Sequence, residues 1–179
     1  MRFLVLFAIA VFILVLTPAR AQAQEESAWA ARPIAIFGVA GIGTPYGELG
    51  AAMDVSPVPL FSIAAGAGLG WWGAPQFAVM PRLRLGGKQT AFAASAGFSF
   101  GNYPVGDVIC LPDSSCNHKQ VMAYWFNIDM GFELRKFSGF SLYAFGGMGV
   151  VLNRSQVEGS GRNAHLQIAY LGAAIGYAF

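Results

Sequence analysis

Residues 124–135 alternate without a break. The even positions Tyr124, Phe126, Ile128, Met130, Phe132 and Leu134 are all apolar. The odd positions Trp125, Asn127, Asp129, Gly131, Glu133 and Arg135 are mostly polar. A period of two puts each set on its own face of a β-strand. On a helical wheel the same polar residues scatter around the circle. One face of this strand is therefore continuously apolar and uncharged, and the fold must give it an apolar neighbour.

The pattern recurs. Residues 76–85 set Phe77, Val79, Pro81, Leu83 and Leu85 against Gln76, Ala78, Met80, Arg82 and Arg84. Residues 60–71 set Phe61, Ile63, Ala65, Ala67, Leu69 and Trp71 against Ser62, Ala64 and three glycines. Residues 90–100 set Phe92, Ala94, Ala96, Phe98 and Phe100 against Ala91, Ala93, Ser95, Gly97 and Ser99. Bulky on one side and small or polar on the other is the pattern of a strand between lipid and a narrow interior. A soluble sandwich would carry Lys, Glu and Thr on its outer face, yet charged residues are only 11% and hydrophobic ones 55%, where a soluble domain carries about 25% charge.

Within lipid, helices and closed barrels alone satisfy every backbone polar group. Residues 60–81 hold no charge, but Gly66, Gly68, Gly70, Gly73, Pro75 and Pro81 argue against a spanning helix there. Eleven basic residues against nine acidic ones leave no electrostatic footprint for nucleic acid.

The N-terminus reads as a cleavable signal peptide. Arg2 precedes the unbroken apolar run Phe3 to Leu16, Pro18 ends it, and Ala21-Gln22-Ala23 offers a small-residue cleavage site. Residues 1–23 are the expected signal, and 24–179 the expected barrel domain. Loss of Arg2 and Arg20 leaves nine basic and nine acidic residues, a formally neutral mature chain.

Eight strands are expected, at roughly 33–43, 48–55, 60–71, 76–86, 89–101, 121–135, 139–152 and 165–179. The connections near 56–59, 87–88 and 136–138 are short. Those on the other side lie near 44–47, 72–75, 102–120 and 153–164, and the two longest both fall there. Short turns at one end and long loops at the other suit a barrel inserted from the periplasm. Phe61, Phe92, Phe132, Phe140, Tyr177 and Phe179 fall near the periplasmic ends of their strands, and Trp71, Phe98, Phe100 and Tyr124 near the outer ends. Two aromatic girdles are expected from this placement.

The last strand closes on Phe179, with Leu171, Ala173, Ile175 and Tyr177 at alternate positions before it. This C-terminus resembles the terminal signature strand of bacterial outer-membrane β-barrel proteins. The mature chain is similar to the small eight-stranded members, of the type of the outer membrane protein A transmembrane domain. The resemblance implies an all-β, antiparallel, up-and-down transmembrane barrel in the bacterial outer membrane. It also implies contact with outer-membrane lipids and lipopolysaccharide, and recognition of Leu171, Ile175, Tyr177 and Phe179 by the barrel assembly machinery. A monomer is expected. The interior is richer in Gly and Ala, and poorer in charge, than the family leads one to expect.

An eight-stranded barrel leaves an interior just wide enough for side chains. The inward set includes Asp54, Arg82, Arg84, Trp125, Asn127, Asp129, Glu133, Tyr143 and Phe145. Arginine on the lipid face at mid-depth costs about 2–4 kcal/mol, so these charges must turn inward and pair. Arg82, Arg84, Asp129 and Glu133 are expected to form an ion-pair network that plugs the lumen; a solute gate is the functional alternative.

Cys110 and Cys116 lie in the longest loop of an exported chain, and a disulfide is expected between them. A metal site with His118 would lack a fourth ligand and standard zinc spacing. Ser155, Glu158, Ser160 and His165 could be imagined as a nucleophile, base and orienting group, but loops are rich in Ser, Gly and Glu in any case. No cofactor, metal or catalytic set is expected. The leading functional expectation is a structural and surface-interaction barrel presenting loops 102–120 and 153–164, with an unidentified extracellular ligand in view. A narrow pore for small solutes comes next, and a lipid-modifying enzyme last.

Overall fold

The computed structural model describes residues 27–70, 73–105, 119–153 and 167–179, with the backbone alone at 103–105 and 119–120. Eight antiparallel strands close into one barrel in sequence order. They are β1 (Ile34–Ile42), β2 (Leu49–Val58), β3 (Phe61–Leu69), β4 (Pro75–Gly86), β5 (Thr90–Val105), β6 (Lys119–Arg135), β7 (Phe140–Val151) and β8 (Gln167–Ala178). A one-turn helix, α1 (Ala28–Ala31), precedes them. Closure is the pairing of first strand with last, from Ala35 opposite Ala178 to Ile42 opposite Leu171. Among the described strands no edge remains unpaired, which answers the exposed-backbone problem of a sheet in lipid.

The sidedness follows the alternation. On β6 the outward Tyr124, Ile128, Met130 and Phe132 are exposed, while Trp125, Asn127, Asp129 and Glu133 are buried in the lumen. Aromatic side chains pair across neighbouring strands on the outside. Phe77 stacks on Phe100 with ring centres 5.3 Å apart, and Phe98 meets Phe126 at 5.5 Å. Leu171, Ile175, Tyr177 and Phe179 all face outward along the last strand. Trp71 lies outside the described residues.

Helix α1 and the C-terminal Phe179 lie at one mouth, here the terminal mouth, with three tight turns. The β6–β7 turn closes through Lys136 N–H to the Phe140 carbonyl at 2.8 Å. Gly139 sits there at φ 102°, a left-handed conformation that disfavours a side chain, and a Cβ would also press on the Tyr177 ring.

Three details depart from the sequence expectation. Strand β2 runs to Val58 rather than stopping near 55, with a register shift between Val55 and Val58, and Ser56 continues the inward phase of Ala52 and Asp54. Strands β5 and β6 continue their pairing outward to Val105 opposite Lys119, so both ends of the expected loop 102–120 are strand. The third is the short connection near 44–47. It does not stand out from the barrel but folds into it, with Thr44, Pro45 and Tyr46 buried.

Candidate functional site

The lumen is the site where the chain gathers its charge. Asp54 on β2, Arg82 and Arg84 on β4, and Glu133 and Arg135 on β6 meet just inside the terminal mouth, none more than 4% exposed. Each faces inward because it falls in phase with small lumenal neighbours on its strand. A charge buried this deeply is tolerated only when paired and hydrogen-bonded, and the geometry provides both.

Asp54 Oδ1 accepts from Arg84 Nη2 at 2.8 Å, Arg135 Nη2 at 2.9 Å and Ser56 Oγ at 3.1 Å. Its Oδ2 accepts from Ser62 Oγ at 2.8 Å and, more distantly, from Arg82 Nη1 at 3.4 Å. Glu133 Oε2 accepts from Arg84 Nε at 2.7 Å. Glu133 Oε1 accepts from Arg84 Nη2 at 3.2 Å and Arg135 Nη2 at 3.3 Å. Arg84 therefore forks across both carboxylates, the two-pronged geometry that suits guanidinium.

Below this layer, α1 packs into the terminal mouth, with an open cleft of about 380 Å3 beside it, lined by Ser27, Trp29, Leu60, Arg84 and Lys88. Ser27 caps the helix by accepting from Ala30 N–H at 3.2 Å, and Trp29 points into the barrel, 2% exposed. Its indole N–H donates to Glu133 Oε1 at 3.0 Å. The segment is tied to three turns or strands at once. Ala28 N–H donates to the Lys88 carbonyl at 2.8 Å. Arg32 donates to the Phe137 carbonyl at 2.6 Å and to the Ala178 carbonyl at 3.0 Å.

Above the ions lies an aromatic layer. The Arg82 guanidinium carbon rests 3.9 Å from the centre of the Tyr143 ring, a cation–π contact. Tyr143 stacks on Phe145 at 4.9 Å, and its hydroxyl donates to Asp129 Oδ1 at 2.7 Å. Tyr170 donates to the Ile128 carbonyl at 3.1 Å. The inturned Thr44-Pro45-Tyr46 segment covers this layer, held by Gln76 Nε2 donating to the Thr44 carbonyl at 3.2 Å. Gly66 makes the room, for a Cβ there would stand 2.7 Å from Tyr46 Cδ1.

The buried ionisable residues among those described balance in formal charge: Arg82, Arg84 and Arg135 against Asp54, Asp129 and Glu133. Among the described residues the buried lumen thus carries no net formal charge to draw ions of one sign.

Of the residues singled out in sequence, Arg82, Arg84 and Glu133 come together. Asp129 does not join them. It stands two inward positions above Glu133, about 13 Å along the strand, and is held by tyrosine hydroxyls instead of guanidinium. Asp54, inward by phase, becomes the hub that the sequence did not single out. Arg135 is also part of the cluster, and its signal was present, since it shares the odd-numbered face with Glu133. Cys110, Cys116, His118, Ser155, Glu158, Ser160 and His165 lie outside the described residues, as do residues 1–23.

Among solved structures, the chain is similar to the N-terminal β-barrel domain of Pseudomonas aeruginosa OprF, with a TM-score of 0.57 and 14% identity over 82% of this chain and 95% of that one. Acinetobacter baumannii CarO aligns over 82% of this chain and 98% of its own, at 9% identity and a TM-score of 0.46. No protein-family model and no curated protein matches the sequence. At such identity the likeness is one of architecture: the chain has the closed, eight-stranded, up-and-down fold of the small outer-membrane barrels.

Proposed function

We propose that this protein is a sealed, integral outer-membrane barrel whose role is structural and surface-interactive, not conductive. The observation that carries the reading is the filled lumen. Trp29, the five-residue ion cluster, the Tyr143–Phe145 stack and Tyr46 follow one another from the terminal mouth upward, leaving side chains where a channel would need water. The uncharged outer face supports insertion in lipid, and the leader-like N-terminus supports export. In that orientation the terminal mouth faces the periplasm and the long connections containing 106–118 and 154–166 face the exterior, where a ligand would meet them. Outer-membrane lipids and lipopolysaccharide would surround the barrel as a monomer, and the outward residues Leu171, Ile175, Tyr177 and Phe179 would be read by the assembly machinery.

Catalysis finds no support in the ion cluster, because Asp54, Glu133 and the three arginines are committed to one another and buried. The test of the sealed reading is conductance. Purified protein reconstituted in planar bilayers is expected to give a flat baseline, and to stay silent with Glu133→Ala. Reproducible stepwise openings of the wild type would overturn the sealed reading and favour a narrow pore.

A further inference from the structure

One stretch of the terminal rim sets cations against exposed rings. Phe140 and Tyr177 are direct partners across β7 and β8, and both are exposed on the outer face. Each has a cation beside it. The Arg32 guanidinium carbon lies 5.7 Å from the centre of the Tyr177 ring, and Lys136 Nζ lies 6.0 Å from that of Phe140. The β6–β7 turn brings the two cations together: Lys136 belongs to it, and Arg32 Nε donates to the carbonyl of the next residue, Phe137. Phe179 extends the aromatic surface, its ring 5.1 Å from that of Tyr177. Among the described residues, the charged side chains outside the lumen at this end are Arg32, Lys88 and Lys136, all basic. The acidic ones, Asp54 and Glu133, are buried and committed to Arg82, Arg84 and Arg135.

We propose that the Arg32–Lys136 rim, beside the Phe140–Tyr177 pair, binds the headgroup of one anionic phospholipid of the periplasmic leaflet. The inference rests on the membrane orientation proposed above and gives the lipid contact a defined address. Directly opposed residues on antiparallel strands stand about 4.5–5.5 Å apart, so two cations on such a ring pair flank a space on the scale of one headgroup. Arg32 donates through Nε and Nη1 to the Phe137 and Ala178 carbonyls. These bonds fix the guanidinium at the rim and leave Nη2 to meet a phosphate oxygen. Lys136 adds a second positive charge on a flexible stem. Basic side chains near the membrane surface attract anionic lipid, and aromatic rings at the interface hold the level of headgroup and glycerol. The ring pair is continuous with the lipid-facing Ile36 and Ile175, so the tails of the same lipid lie along the barrel wall.

Native mass spectrometry tests the site. The folded barrel, in mild detergent, is incubated with equal amounts of phosphatidylglycerol, phosphatidylcholine and inorganic phosphate. Wild type is expected to retain one phosphatidylglycerol in preference to phosphatidylcholine. Lys136→Gln keeps the turn, whose bonds run through the Lys136 main chain, and is expected to lower that preference about fivefold, the worth of one cation beside an anionic lipid surface. Arg32→Gln is expected to lower it at least as much. Lys88→Gln removes an equal charge from the β4–β5 turn, away from the ring pair, and is expected to keep the wild-type ratio. Equal retention of the two lipids by wild type, an adduct of phosphate mass alone, or an equal fall with Lys88→Gln would each overturn the proposal. If Arg32→Gln fails to fold, Lys136→Gln decides alone. A gel of the same wild-type preparation, with and without boiling, separates this reading from the one beneath it. Without a heat shift the membrane reading falls and the site with it; with a shift but no lipid preference, the site alone is overturned.

Discussion

Replacing Asp54 with alanine is expected to destabilise the folded barrel by about 3–5 kcal/mol, the range for removing one partner of a buried ion pair. Asp54 accepts hydrogen bonds from three arginines and two serines. Without it, Arg82, Arg84 and Arg135, all buried, would share Glu133 alone as their carboxylate partner. The cost is the penalty of stranded charge, larger than the net worth of any one bond. Urea unfolding of protein refolded into lipid vesicles, followed by tryptophan fluorescence, measures it. Asp54→Asn keeps the shape and loses the charge, and is expected to lie between wild type and Asp54→Ala. A loss for Asp54→Ala no greater than that of an ordinary surface substitution would mean that the cluster does not form as described.

The second large effect belongs to the outer face. Ile128 sits midway along β6, 52% exposed, between Ala96 and Met148 on the neighbouring strands. Ile128→Arg is expected to cost about 2–4 kcal/mol in vesicles, the midplane value for arginine against lipid, falling to about 0–1 kcal/mol near an interface. Leu85, 68% exposed at the terminal end of β4, supplies the comparison, and Leu85→Arg is expected to fall at the low end of that range. The same vesicle titration reads both. Equal costs at the two depths would show that the apolar band does not track membrane thickness.

Strand positions and sidedness were readable from sequence for a simple reason. In β6 or β4 one face meets lipid and the other a narrow interior, so the period of two is almost uninterrupted. The inward phase of Arg82, Arg84 and Glu133 was legible for the same reason. Their choice of partners was not, because it depends on how the strands stagger around the barrel. That stagger brings Asp54 of β2 across to Arg135 of β6 and leaves Asp129 to the tyrosines. Helix α1 offered no signal either: Ala-Trp-Ala-Ala is too short to show a helical period. The inward fold of Thr44-Pro45-Tyr46 reads as an ordinary Gly- and Pro-marked turn. What draws it into the lumen is space left by Gly66 and its neighbours on facing strands, a property of the closed barrel and not of the local chain.

The most direct test of the account is a gel of membrane-extracted protein, run in detergent with and without boiling. A sealed, fully paired eight-stranded barrel is expected to resist the detergent when unheated, to migrate as a compact species and to shift in apparent mass once boiled. A single band at one position under both conditions, together with a helical circular-dichroism spectrum, would contradict the closed barrel and everything built on its lumen.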